Sequence, residues 1–161
     1  MKVNIYNLVN IHKIKFIILL LLLQNLLIFH NHYFNDTTPP WDFVETYLAV
    51  PFYWIELLRH GYDVSWIPFQ GMGYPLYMNL QSGYYYLPNW IFVIFDIQYT
   101  INNAVIMQCL HIFIGSLGTV ILAYLIGLKW YKALLAGFIY QTFGAFYSNA
   151  EHLDIIRGYS F

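Results

Sequence analysis

Residues 102–128 read NNAVIMQCLHIFIGSLGTVILAYLIGL and carry no charged side chain. A helix needs about 20 apolar residues to cross the hydrocarbon of a bilayer, so this stretch predicts a transmembrane helix. Gly115, Ser116 and Gly118 fall together near its middle, where small residues permit close approach of a second helix. Cys109 lies in the same stretch and is the chain's one cysteine, which leaves no disulfide framework to read. It reads as a small buried residue. Next come Lys129-Trp130-Tyr131-Lys132, a tight cationic turn over 129–132, and a shorter apolar segment, 133–148, with Gly137 and Gly144.

Working back toward the N-terminus, residues 35–101 form a long aromatic stretch rather than a span. The turn-forming run Asn35-Asp36-Thr37-Thr38-Pro39-Pro40 opens it. Phe43 to Arg59 has helical length, with Pro51 placed to kink or split it. Residues 61–88 alternate Gly61, Gly71, Gly73 and Gly83 with Pro68, Pro75 and Pro88. Asn89–Phe95 is apolar but too short to span. Ahead of this loop, 14–34 is apolar around IILLLLL, and 1–13 is polar with Lys2 and Lys13. A cleaved signal peptide competes with an uncleaved span for 14–34. No small-residue cleavage site follows, since the segment runs into His30-Asn31-His32-Tyr33.

The chain is 60% hydrophobic, 21% aromatic and 9% charged, against about 25% charged in ordinary soluble domains. The expected class is all-α and integral to a membrane. It has about three transmembrane helices and a long extracytoplasmic first loop containing interfacial helices. With the N-terminus in the cytoplasm, Lys2, Lys13, Lys15, Lys129 and Lys132 all lie inside, as the positive-inside tendency requires. All eight carboxylates and both arginines then lie outside, and 149–161 is an extracytoplasmic segment. The chain stops at RGYSF just past an apolar segment, which reads as the truncated N-terminal part of a longer multi-pass cell-membrane protein. No basic run exists to bind nucleic acid, and no P-loop, GxGxxG, HExxH or CxxC is present.

Asp42 stands where the chain leaves the first span, just after Trp41. It has two compatible readings. It can cap the following helix, with Glu45 completing a capping box. It can also serve as general base toward an acceptor hydroxyl at the bilayer surface. Glu56 precedes Arg59 and His60 at helical pairing distance, and Asp63 reads as a turn residue. Glu151, His152 and Asp154 form a polar cluster that could hold a divalent metal or simply face outward. Tyr84-Tyr85-Tyr86 suits interfacial anchoring or stacking on a sugar.

The layout of a first span, a carboxylate at the loop start, an aromatic helix, Gly61…Trp66-Ile67-Pro68, Gly71-Met72-Gly73-Tyr74-Pro75 and Tyr86-Leu87-Pro88 resembles the GT-C superfamily of membrane glycosyltransferases. The stretch Asn149…His152…Arg157 resembles the YfhO-like bacterial membrane proteins of that superfamily. The resemblance implies transfer of a sugar from a polyprenyl-phosphate donor to a cell-envelope acceptor. It implies Asp42 as the catalytic carboxylate, with Glu45, Trp66, Tyr74, Tyr84, His152 and Arg157 as substrate-binding candidates. Many members carry paired acids at the first position; here Phe43 follows Asp42. A non-catalytic protein that binds or moves a polyprenyl-linked lipid is the alternative.

Overall fold

The structure is a computed structural model that describes residues 11–35, 37–39, 43–148, 150, 152, 155 and 158, without the side chains of Ile11, Glu45, Thr46 and Ala145. It is mostly helical. Helix α1 (Ile11–Ile28) is built on the leucine run; the chain breaks at Phe29 and resumes as α2 (His30–Phe34). The predicted helix from Phe43 to Arg59 has two windings. Phe43–Leu48 is π-helical, and α3 (Ala49–Arg59) follows as an α-helix. Pro51, which cannot donate to the helical ladder, sits in the first turn of α3.

The loop beyond α3 holds a short antiparallel ribbon that the all-helical expectation did not include. Strands β1 (Trp66–Ile67) and β2 (Tyr74–Pro75) pair with Trp66 opposite Pro75 and Ile67 opposite Tyr74. The tip turns back through three consecutive left-handed residues, Gly71, Met72 and Gly73. Gly73 is needed there twice over. Its φ is +95°, and a Cβ would meet the Trp66 indole at 2.5–2.8 Å. Three short 3₁₀ turns lead to α4 (Trp90–Ile94), which stops before Asp96, itself left-handed at φ +52°.

Helix α5 (Ile101–Leu125) is long and apolar enough to cross a membrane. Thr100 caps its start, its Oγ1 accepting from Asn103 N at 3.2 Å. Its end is a Schellman closure: Leu128 N donates to Ala123 O and Gly127 N to Tyr124 O, with Gly127 at φ +89°. That closure shortens the predicted cationic turn. Helix α6 (Trp130–Gln141) already begins at Trp130, so Lys132 lies in its first turn. The predicted 133–148 segment divides at Thr142–Phe143 into α6 and α7 (Gly144–Ser148). At 12 residues, α6 is about 18 Å long, short of the full hydrocarbon thickness.

Helices α1, α5 and α6 pack as a three-helix bundle. Ile17 and Leu21 of α1, Val120 and Ala123 of α5, and Ala133 and Leu134 of α6 share one buried cluster. Gln24 reaches Phe138, and Gln141 reaches Leu21, so α1 and α6 run parallel and α5 antiparallel to both. Lys13, Lys15, Lys129 and Lys132 therefore gather at one end of the bundle, all exposed. Gly137 marks the triple crossing, where a Cβ would lie 2.7 Å from Val120 Cγ2 and 3.0 Å from Leu21 Cδ2. Gly115 lets the Tyr140 ring cross α5, whereas Gly118 faces open space. Of the three small residues predicted to form the contact, Gly115 and Ser116 do so.

Amide side chains tie these helices together. Gln24 Nε2 donates to Phe138 O at 3.1 Å and Gln141 Nε2 to Leu21 O at 3.1 Å, a reciprocal bridge between α1 and α6. Gln141 also donates to Ser116 Oγ, which in turn donates to Phe113 O. Asn25 donates to Cys109 O and accepts from the Tyr33 hydroxyl. The outward faces remain apolar, with Leu19, Leu23 and Leu27 of α1, Ile114, Ile121 and Leu122 of α5, and Leu135 and Ile139 of α6 exposed.

Candidate functional site

At the end of the bundle away from the lysines, the loop builds a second core. Phe43, Tyr47, Val50, Trp54 and Ile55 pack against Ile67, Leu76, Phe92 and Tyr99, and against Ala104, Val105, Cys109 and Ile112 of α5. Trp54 anchors it: the ring is buried, and Nε1 donates to Ser82 O at 3.0 Å. Trp90 Nε1 donates to Tyr84 O at 2.8 Å, so the rings of Trp54, Tyr84 and Trp90 form one aromatic cluster.

Charge is confined to the top of this unit. Arg59 holds both oxygens of Glu56 at 2.8 Å, and its Nε lies 2.9 Å from Asp96 Oδ1. Glu56 Oε1 also accepts from Tyr99 N at 3.1 Å. The local pair expected from spacing is thus one half of a clamp joining α3 to the α4–α5 connection. Hydrogen bonding to Glu56 raises the Arg59 pKa above its ordinary value. His60, the other expected partner of Glu56, instead places Nδ1 2.8 Å from the Glu56 carbonyl.

Asp63 is the turn residue its sequence context predicts. Its carboxylate accepts from Ser65 Oγ at 2.7 Å and Ser65 N at 3.0 Å, and these bonds lower its pKa. A depressed folded-state value means the stabilisation is complete above the ordinary carboxylate pKa of about 4. It is lost as pH falls through the folded value. Hydrogen exchange at the Ser65 amide is expected to stay slow down to about pH 4 and to quicken below it. Asp63→Ala is expected to remove that pH dependence.

Beside the clamp lies a groove of about 540 Å³, lined by Val44, Leu48, Ala49 and Phe52 on one side and by Gln98 to Asn102 on the other. That volume falls in the range of small-ligand sites. One wall is the π-helical turn that begins directly after Asp42, and the other is the N-terminus of α5, whose free amides favour negative charge. The walls are apolar on the first side and carry the amides of Gln98 and Asn102 and the hydroxyl of Thr100 on the second.

No family model matches the chain, and no curated protein or solved structure is similar to it.

Of the residues singled out in the sequence, Asp42 and Arg157 lie outside the described residues, as do Asp36, Glu151 and Asp154 and the side chain of Glu45. His152 is placed against the π-helical turn: its Nδ1 is 3.3 Å from the Tyr47 hydroxyl and the two rings meet edge to face. The segment after α7 therefore contacts the segment that follows Asp42. Trp66 and Tyr74 do not share a face, because Tyr74 pairs with buried Ile67 and Trp66 points outward. Tyr74 instead donates to Gln70 and accepts from Asn79, both at 2.7 Å. The three consecutive tyrosines have three roles: Tyr84 packs in the aromatic cluster, Tyr85 is exposed, and the Tyr86 hydroxyl bonds His111 Nε2. Among the described residues no group of three His, Cys, Asp or Glu side chains could hold a metal ion.

Sequence reasoning missed Gln98, Thr100 and Asn102 as groove residues, and His111 as a partner of the tyrosine run. A histidine inside an apolar run was a usable signal. The groove had none, because its two walls lie about fifty residues apart in the chain.

Proposed function

We propose that the protein is a multi-pass membrane glycosyltransferase of the GT-C type, moving a sugar from a polyprenyl-phosphate donor to a cell-envelope acceptor. In this reading α1 with α2, α5, and α6 with α7 cross the membrane, and the lysine end of the bundle faces the cytoplasm. The apolar outward faces of all three helices support it. The first loop then stands outside. The acceptor hydroxyl attacks the anomeric carbon, the bond from that carbon to the carrier phosphate breaks, and Asp42 takes the hydroxyl proton as polyprenyl phosphate leaves.

The observation that carries this reading is the groove opening beside the turn that follows Asp42. It is large enough for a sugar-sized group and mixes an apolar wall with amide and hydroxyl groups. Filling it is the direct test. In the full-length protein Ala49→Trp, at the first residue of α3, is expected to lower transfer of labelled sugar by about 10²-fold while folding is retained. Unchanged transfer would remove the groove from the reaction.

One observation favours the non-catalytic alternative, a protein that binds or moves a polyprenyl-linked lipid. Phe43 is fully buried, so the position where many GT-C enzymes carry a second acid belongs here to the core. This alternative expects lipid binding independent of Asp42 and no product with any labelled donor.

A further inference from the structure

From Val64 to Phe95 the chain has no Asp, Glu, Lys, Arg or His. A water-facing surface of that length would carry several charges. Yet much of this stretch is exposed: Leu80 is 83% exposed, Leu87 78%, Met78 68% and Tyr85 61%. Exposed apolar surface on this scale marks contact with something other than water.

The Tyr86–His111 contact gives the depth. His111 is buried in α5, with Nδ1 2.6 Å from Met107 O. That carbonyl takes the Nδ1 proton and leaves Nε2 to accept from the Tyr86 hydroxyl. At 1.5 Å per residue, His111 lies roughly 25 Å from the Lys129–Lys132 end. If those lysines mark one face of a hydrocarbon layer of about 30 Å, the His111 level is about 5 Å inside the other face. The clamp sits on the opposite side of that boundary. Glu56 bonds Tyr99 N, about 18 Å along the chain axis from His111. The loop unit is therefore polarised, with its charged residues held away from the bilayer and its uncharged rim at hydrocarbon level.

We infer that Tyr77–Leu87 is a membrane-immersed segment whose exposed apolar rim enters the leaflet at the carboxylate end of the bundle, with Tyr86 bonded to His111 fixing its depth. The inference rests on the reading that α5 crosses the membrane. The occupant is lipid: the rim combines tyrosine, leucine and methionine without charge, the composition that suits the boundary between headgroups and acyl chains.

The test uses the full-length protein with Cys109→Ala, reconstituted in vesicles of phosphatidylcholine and phosphatidylglycerol. Nitroxide labels are placed singly through Leu80→Cys, Leu87→Cys and, as the mid-span reference, Leu122→Cys. Power saturation compares access of oxygen, which partitions into hydrocarbon, with access of a nickel chelate, which stays in water. Labels at 80 and 87 are expected to favour oxygen several-fold, as the label at 122 does. Nickel preference at 80 and 87 with oxygen preference at 122 would overturn the inference and leave the span intact. Exclusion of both reagents at 80 and 87 would also overturn it, showing a covering protein surface instead. Nickel preference at 122 would sink the span reading and the inference together.

Discussion

Asp42→Asn is expected to fold as the parent does and to lose sugar transfer by about 10²- to 10⁴-fold, the usual contribution of a positioned general base. The substitution keeps the size of the side chain and its capacity to accept a hydrogen bond. Asparagine also begins helices about as well as aspartate. What it removes is the ability to take a proton. A labelled-donor assay on the full-length protein, alongside its thermal unfolding midpoint, separates the two jobs assigned to this residue. Equal midpoints with lost transfer assign Asp42 to the chemistry. Equal midpoints with equal transfer would make it a cap only. A lowered midpoint would show that the carboxylate's charge matters to the turn it precedes, and transfer by the fraction that remains folded would then decide the catalytic role.

Gly137→Leu is expected to disrupt the bundle. Even a lone Cβ at 137 would stand 2.7 Å from Val120, 3.0 Å from Leu21 and 3.3 Å from the Ser116 carbonyl oxygen. The two side chains can shift by a few tenths of an ångström, but the backbone oxygen cannot. A full leucine has to separate three helices. Overpacking of this kind costs about 1–3 kcal/mol and at times more, out of a total stability that is often only about 5–15 kcal/mol. Gly118→Ala is the matched control. Nothing lies within 4 Å of a Cβ there, and alanine favours helix over glycine by up to about 1 kcal/mol. Unfolding midpoints in one detergent should therefore move in opposite directions. A Gly137→Leu protein as stable as the parent would mean that the triple crossing is looser than these distances require.

Periodicity and composition were enough to find the helical class, the two ends of the bundle and the turn at Asp63, because each depends on neighbours in sequence. The helix bounds inside 133–148 were not readable. They depend on the break at Thr142–Phe143, where Thr142 turns its hydroxyl onto the Phe138 and Ile139 carbonyls. The π-winding of Phe43–Leu48 left no mark in residue type, and the ribbon of Trp66–Ile67 with Tyr74–Pro75 is too short to show alternation. Trp66 and Tyr74 looked like companions because each stands beside a Gly-Pro punctuated motif. Strand alternation sends them to opposite faces. Gln24 and Gln141 stood out as polar residues in apolar runs, but their partners are set only by the parallel alignment of α1 with α6.

That alignment has a consequence for biosynthesis. Gln24 precedes its acceptor Phe138 by 114 positions, and the Gln141–Leu21 bond spans 120. Neither bond can form until nearly the whole chain has been made. The α5–α6 hairpin, closed by the turn at Gly127, needs only local sequence and can assemble as soon as both helices have emerged. The first helix then waits with its amides unpaired, and its docking is the last act of assembly. The reciprocal glutamine bridge thus works as a latch that only the finished chain can engage.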